Sequence, residues 1–484
     1  MQPIDLKPLP VKELKRYPKD FFKKNKVNMD LLDTLKQQDY VTYDDGYYFF
    51  KYVGIILVEN RVIHCYPKYL SQMEDKELFK KFKQVLQVIR KYNKTENVDY
   101  DYIESNQTAT NLLPLMIFFI EDYYEHGIYT NYKNVHQING NGEINWDRTI
   151  NNYNPMIIKN KPYYMELETK YNKEDIYDIF RQLHKCIITQ CSKKLEKTGL
   201  LNLFDLTPVD ISDKSLNSFF SQGILKRLEQ EQKVEFNTHK QKLLRYMYAI
   251  LKEEDLLGDS NNISLYGTNS FNMVWEKVCQ KVLGNVLDKK ISELNEKNLL
   301  PYKYNDYEKY GKKKLIELID KPEWTFTKWG ILNIDDEEKN KNYIKKNTLK
   351  PDLIVFHKKN FIVLDAKYYI YKINENKNKL SKQPGIESVT KQYLYQLAYK
   401  DFIIDAGFEK SKNGFLFPSN EENFENEGFV KLNFLSELVK ENNKTFNDEE
   451  DIQLLMLPAS KMYEYYLNNN PLDDLSELKI KGID

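Results

Sequence analysis

Cysteine is scarce in this 484-residue chain, and its four copies, Cys65, Cys186, Cys191 and Cys279, form neither a C-x-x-C pair nor a zinc spacing. That excludes a disulfide scaffold and a sequence-local zinc module. The six histidines are scattered as well, so both residue types read as reduced core or surface positions of a cytoplasmic protein. Net charge is missing: Lys+Arg and Asp+Glu are 72 each, so any nucleic-acid affinity has to come from local patches. Long apolar runs are absent too. Ile55 to Val58 is of strand length, Leu112 to Ile120 is too short to span a bilayer, and MQPIDLKPLPVKELKRYPKD lacks the apolar core of a signal peptide, so no membrane partner is expected. There is no G-x-x-x-x-G-K-[ST] loop and hence no nucleotide-binding motor within the chain. Glycine is sparse while tyrosine, at 37, and asparagine are abundant; a low-GC genome explains that bias, so the tyrosines are not read as a base-stacking platform.

What is present supports an α/β protein of roughly three domains at ~150 residues each. Two apolar runs between Val53 and Lys68, separated by Glu59-Asn60-Arg61, predict a hairpin. Helical spacing follows over Asp75 to Tyr92 and again over Thr108 to Gly127. Tyr129 to Tyr171 is strand-like and polar. Its GNGEINWDRTI core reads as a tight turn feeding a strand, because no helix signal follows the G-x-G pair. From Lys173 to about Glu254 the pattern is a helical connector, closed by the loop DLLGDSNN. A helix, FNMVWEKVCQKVLGNVL, then opens at Asn269 or Ser270 with the stripe Phe271, Val274, Trp275, Val278 and Val282. Glu276 falls at the border of that stripe and has no cation three or four residues away, since Asn272, Met273, Cys279 and Gln280 occupy those places; simple solvation is its alternative. Lys-rich stretches at Tyr307 to Lys314 and Asp335 to Lys350 are local basic patches suited to phosphates, or else solvated loops. Strands are expected at Glu323 to Trp329, Lys412 to Pro418 and Ile452 to Pro458, then a helix from Ala459.

The stretch that organises the rest is PDLIVFHKKNFIVLDAK, Pro351 to Lys367. Two short apolar strands flank His357-Lys358-Lys359-Asn360, and a symmetric hairpin pairs Phe356 with Phe361 and, counting back, Asp352 with Asp365. Directly paired side chains lie roughly 5 Å apart, where like charges destabilise a sheet unless neutralised. A divalent cation neutralises them. Alternation puts Lys367 on the face of Asp365, so one patch carries two anions and an ammonium, the chemistry of metal-assisted phosphodiester cleavage. A solvated strand edge is the competing reading.

Pro351-Asp352, twelve residues, then Asp365-Ala366-Lys367 resembles the PD-(D/E)xK nuclease motif. YGTNSFNMVWEKVC resembles the LlaJI restriction endonuclease family, and the Val53 to Lys68 hairpin with GNGEINWDRTI resembles the amino-terminal half of McrC-type restriction subunits. The resemblance implies an N-terminal mixed α+β partner-docking domain over residues 1–171, a helical connector over 172–261 and a PD-(D/E)xK restriction-endonuclease-like core over 262–484. It implies an endonuclease acting on double-stranded DNA with Mg²⁺ or Mn²⁺, held by Asp352, Asp365, the carbonyl of Ala366 and Glu276, with Lys367 handling the water. Gln396 and Tyr399 would line the cleft, although relatives place such a pair four residues apart and here they are three apart. A McrB-like AAA+ GTPase would be the partner, with Arg148 a candidate contact. A non-catalytic adaptor that activates such a GTPase, a stand-alone type II restriction endonuclease and a motor-free nuclease acting on RNA or recombination intermediates stay open.

Overall fold

The computed structural model describes residues 8–58, 61–70, 75–96, 111–220, 223–252, 263–301, 309–324, 343–344, 348–370, 372–374, 379–381, 383–442, 445 and 451–483. The connection Glu59-Asn60, most of Asp335 to Lys350 and Thr325 to Trp329 lie outside them. Among the described residues the protein is mixed α/β, with several small sheets and sixteen α-helices. No helix among them is long and apolar enough to cross a membrane.

The chain forms two compact units, one of Met1–Leu9, Ile55–Ile63 and Val98–Tyr266, the other of Pro10–Gly54, His64–Asn97 and Gly267–Asp484. Neither unit is a single stretch of the sequence. Most of residues 10–97 group with the carboxy-terminal half, and the helical connector shares a unit with the strands before it.

In the first unit, β1 (Tyr132–Ile138) and β2 (Glu143–Ile144) both pair antiparallel with β5 (Glu168–Glu174). β3 (Met156–Ile158) and β4 (Lys161–Tyr163) form a separate hairpin. Its two-residue loop, Lys159-Asn160, has positive φ at both positions, the requirement of a hairpin turn that follows the strand twist. The G-x-G pair is steric in origin. A Cβ on Gly142 would lie 2.4 Å from the Lys170 carbonyl oxygen, and one on Gly140 would lie 2.8 Å from Gln137 Oε1. The expectation of a strand after it is corrected: Trp146–Asn152 is a helix, started by the Asn145 side chain accepting the Arg148 N–H at 3.1 Å, an N-cap that the turn reading overlooked. Helices α1 (Leu112–His126), α2 (Trp146–Asn152), α3 (Ile179–Lys197) and α4 (Thr238–Lys252) complete the elements used below.

The second unit is built on a five-stranded sheet of β6 (Leu353–His357), β7 (Asn360–Ala366), β8 (Lys410–Ser419), β10 (Ile452–Pro458) and β9 (Glu425–Val430), in that order. β7, β8 and β10 run parallel, with an antiparallel strand at either edge. A strand buried on both faces needs a continuous apolar run rather than alternation, and Phe361 to Leu364 on β7 are fully buried. Helix α5 (Phe271–Val282) lays its predicted stripe into this core, and Trp275 donates its indole N–H to the Leu416 carbonyl at 3.2 Å. Residues before 97 fasten to the same unit through polar contacts. Tyr69 bonds Tyr463 at 3.0 Å, the Gln84 amide bonds the Ser460 carbonyl at 2.8 Å, and Lys91 bonds the Tyr466 and Leu467 carbonyls at the end of the helix Ala459–Asn468 at 2.6 and 3.0 Å, where orphan carbonyls favour a cation.

Trp275→Ala removes a fully buried ring and its hydrogen bond, so the second unit should lose about 3–5 kcal/mol. Denaturant unfolding followed by far-UV dichroism measures this, and a loss under 1 kcal/mol would contradict the packing described.

Candidate active site

The hairpin pairs as the sequence predicts, Phe356 with Phe361 and Leu353 with Leu364, although the loop is tighter: His357 pairs with Asn360, leaving only Lys358-Lys359 to turn. Asp352 and Asp365 follow as neighbours at the open end. Asp365 is buried at the end of β7, and Asp352 Oδ2 accepts the Ala366 N–H at 2.8 Å. Lys367 Nζ lies 2.8 Å from Asp365 Oδ2, and its backbone N–H is held by the Leu416 carbonyl at 2.9 Å. Asp352, Ala366, Asp365 and Lys367 are thus brought together by one hairpin and the strand beside it.

Glu276 joins them from α5. It is half-buried, and burial raises its carboxyl above the ordinary value; Lys350 and Lys367 oppose that shift while Asp365 adds to it. Its partner is Gln280, four residues on, whose amide bonds Glu276 Oε1 and the Asp352 carbonyl, each at 2.9 Å. That amide stands at helical spacing from Glu276, where a neutral donor as well as a cation can pair with a carboxylate. A second missed residue is Tyr395 on α6 (Ile386–Ala398). Its hydroxyl bonds the Lys350 carbonyl at 2.9 Å, and burial together with the charges of Asp365 and Asp352 raises its pKa.

Gln396 and Tyr399 are not brought to the carboxyl pair. Gln396 is buried against β8, bonding Ser411 Oγ at 3.2 Å and Asn413 at 3.1 Å. Tyr399 is buried in the apolar core, stacked near Phe361 and donating to the Leu315 carbonyl at 3.2 Å. The helical spacing is right, but the face they share points into the core. Arg148, in the first unit, bonds Glu168 at 2.8 Å through a half-exposed side chain and so has a partner within its own unit.

The model of the LlaJI restriction endonuclease family matches residues 52–459. This chain belongs to the LlaJI restriction endonuclease family. It is 29% identical over 458 residues to the "Type II restriction enzyme BsuMI component YdjA" of Bacillus subtilis (strain 168), covering 90% of this chain and 85% of that protein. It also aligns over 96% of its length, and 100% of the matched chain, with a half-complex of Thermococcus gammatolerans McrB AAA+ hexamers with bound McrC, at 14% identity and a TM-score of 0.36.

In this LlaJI-family chain the electrostatics of the pair are unbalanced. Burial, the hydrogen-bonded Asp365 carboxyl and the charge of Glu276 push Asp352 up to about 9. For Lys367, burial works against the ammonium, but Asp365 and Asp352 outweigh it and the net shift is upward. The site therefore holds a proton on Asp352 and a charged lysine at neutral pH. Between the ordinary value of 3.8 and about 9 the native protein keeps a proton that the unfolded chain releases, so stability falls as pH rises through that window. Asp352→Asn removes the charge that has to be suppressed. In the absence of divalent cations the variant should melt above the wild type at about pH 8, with the gap closing toward about pH 4; scanning calorimetry across that range reads it. A gap independent of pH would mean that Asp352 does not carry the proton.

Proposed function

We propose that this protein is the Mg²⁺-dependent endonuclease subunit of a restriction system, hydrolysing double-stranded DNA at a PD-(D/E)xK-type site in its second unit. The observation that carries the reading is half-buried Asp352 and buried Asp365 meeting Lys367 and Glu276 at the end of β7. The donors fit a hard dication: every group is an oxygen ligand, and a carboxyl pair that must retain a proton when alone is one that a cation can deprotonate by binding. Asp352, Asp365, the Ala366 carbonyl and Glu276 would hold Mg²⁺, with Mn²⁺ as its substitute. When bound, the ion supplies Lewis-acid polarisation of the scissile phosphate and a lowered pKa for water. The Lys367 ammonium, steered by Asp365, orients the attacking water and offers a donor to the phosphate. Gln280 keeps Glu276 and the Asp352 backbone in register, and Tyr395 braces Lys350, the residue leading into Pro351-Asp352.

The same reading includes a partner. The β3–β4 hairpin exposes all six of its residues, Met156, Ile157, Ile158 and Tyr163 among them. Apolar side chains exposed on both faces of one hairpin suit insertion into another protein. We infer a McrB-like AAA+ GTPase as that protein, since the chain has no nucleotide-binding loop of its own. The name of the Bacillus subtilis relative, a component of a type II enzyme, favours a second arrangement, in which the other chains of the assembly supply DNA recognition without a motor.

Asp365→Ala and Lys367→Ala should each lower plasmid cleavage ~100-fold or more while leaving the protein folded. Undiminished cutting by either removes this site from consideration. The two activities should also separate. Ile157→Glu should lose stimulation of GTP turnover by the purified partner, whereas Lys367→Ala should stimulate normally. Because Pro10–Gly54 and His64–Asn97 belong to the second unit, point variants test this better than an amino-terminal fragment. If Lys367→Ala lost stimulation as well, the division of labour would be wrong.

A further inference from the structure

We propose that Asp122, His126 and His239 form a divalent transition-metal site in the first unit, separate from the carboxyl pair of the second. The sequence scatters its histidines, but folding gathers two of them around one carboxylate. Asp122 and His126 are four residues apart in the last turn of α1 and so lie on one face; His239 is the second residue of α4. Asp122 Oδ1 is 2.6 Å from His239 Nε2 and 3.2 Å from His126 Nδ1. The imidazole centroids are 4.4 Å apart, and the three donor atoms all fall within 4.8 Å of one another.

A single histidine–aspartate hydrogen bond needs only one imidazole. Here two rings converge on the same oxygen, and Asp122, 4% exposed, buries its other oxygen, Oδ2, without a hydrogen-bond partner. A buried carboxylate oxygen left unpaired is costly, and a cation held between the carboxylate and the two rings would offset the charge of that buried carboxylate. Ligand bonds of ~2.0–2.1 Å in tetrahedral geometry put donors ~3.3 Å apart; the Asp122–His126 separation of 3.2 Å is close to that value, and the Asp122–His239 separation of 2.6 Å would have to open by several tenths of an ångström. Two nitrogens and one oxygen select a borderline ion such as Zn²⁺ over Mg²⁺, which prefers oxygen alone. The His126 and His239 side chains are 51% and 35% exposed, so the fourth position faces solvent and takes water. The ion would staple the end of α1 to the start of α4.

The test uses the full chain, stripped with a chelator and titrated with Co²⁺ and then Zn²⁺ under excess Mg²⁺, both as wild type and as Asp365→Ala so that the carboxyl pair of the second unit cannot account for binding. One Co²⁺ should bind with the visible absorption of a low-coordinate nitrogen–oxygen site, Zn²⁺ should displace it, and Zn²⁺ should raise the melting temperature. His126→Ala, at a half-exposed position where folding is not at stake, should weaken Zn²⁺ binding ~100-fold and abolish the shift, and His239→Ala should do the same. Failure of the Asp365→Ala protein to take up Co²⁺, or Zn²⁺ binding by His126→Ala as tight as in the parent, overturns the proposal.

Discussion

The second unit is arranged around two carboxyl groups that the backbone forces together. Once Phe356 pairs with Phe361, Asp352 and Asp365 have to meet at the open end of the hairpin, and burial denies them the water that would screen their repulsion. The surrounding groups answer that constraint. The Ala366 N–H and Lys367 supply donors, a proton is retained on Asp352, and the Gln280 amide ties Glu276, the third acid, to the Asp352 carbonyl. An arrangement this unfavourable in isolation persists because the strand that carries it is packed on both faces, so moving either carboxyl would mean repacking Phe361 to Leu364.

The supports reach far along the chain. Trp275 fastens α5, and with it Glu276, to the Leu416 carbonyl, while the neighbouring Lys367 N–H takes the same carbonyl from the other side. Just beyond, Tyr368 donates to the half-buried Glu13 at 2.6 Å, and the Lys68 ammonium sits 4.0 Å from the centre of the Tyr368 ring. Residues from the first hundred positions thus form part of the wall behind the lysine. The first unit has a different character. Its small sheet is joined by short turns with positive φ and leaves apolar side chains exposed.

The sequence by itself determined the elements with a strong period and the pairs set by counting. The α5 stripe, the β10 boundaries, the helix from Ala459 and the meeting of Asp352 with Asp365 all follow from local spacing, because a helix repeats every 3.6 residues and a hairpin pairs residues symmetrically about its turn. Only the tertiary structure decided the rest. Gln396 and Tyr399 share the expected helical face, yet which face meets the carboxyl pair depends on how α6 packs, and that brought Tyr395 forward instead. The Lys159-Asn160 turn gave no signal, because neither residue is the glycine that usually marks positive φ. Asp122 and His239 come together across 117 positions, a separation over which local periodicity carries no information and only the packing of one helix against another can set a distance.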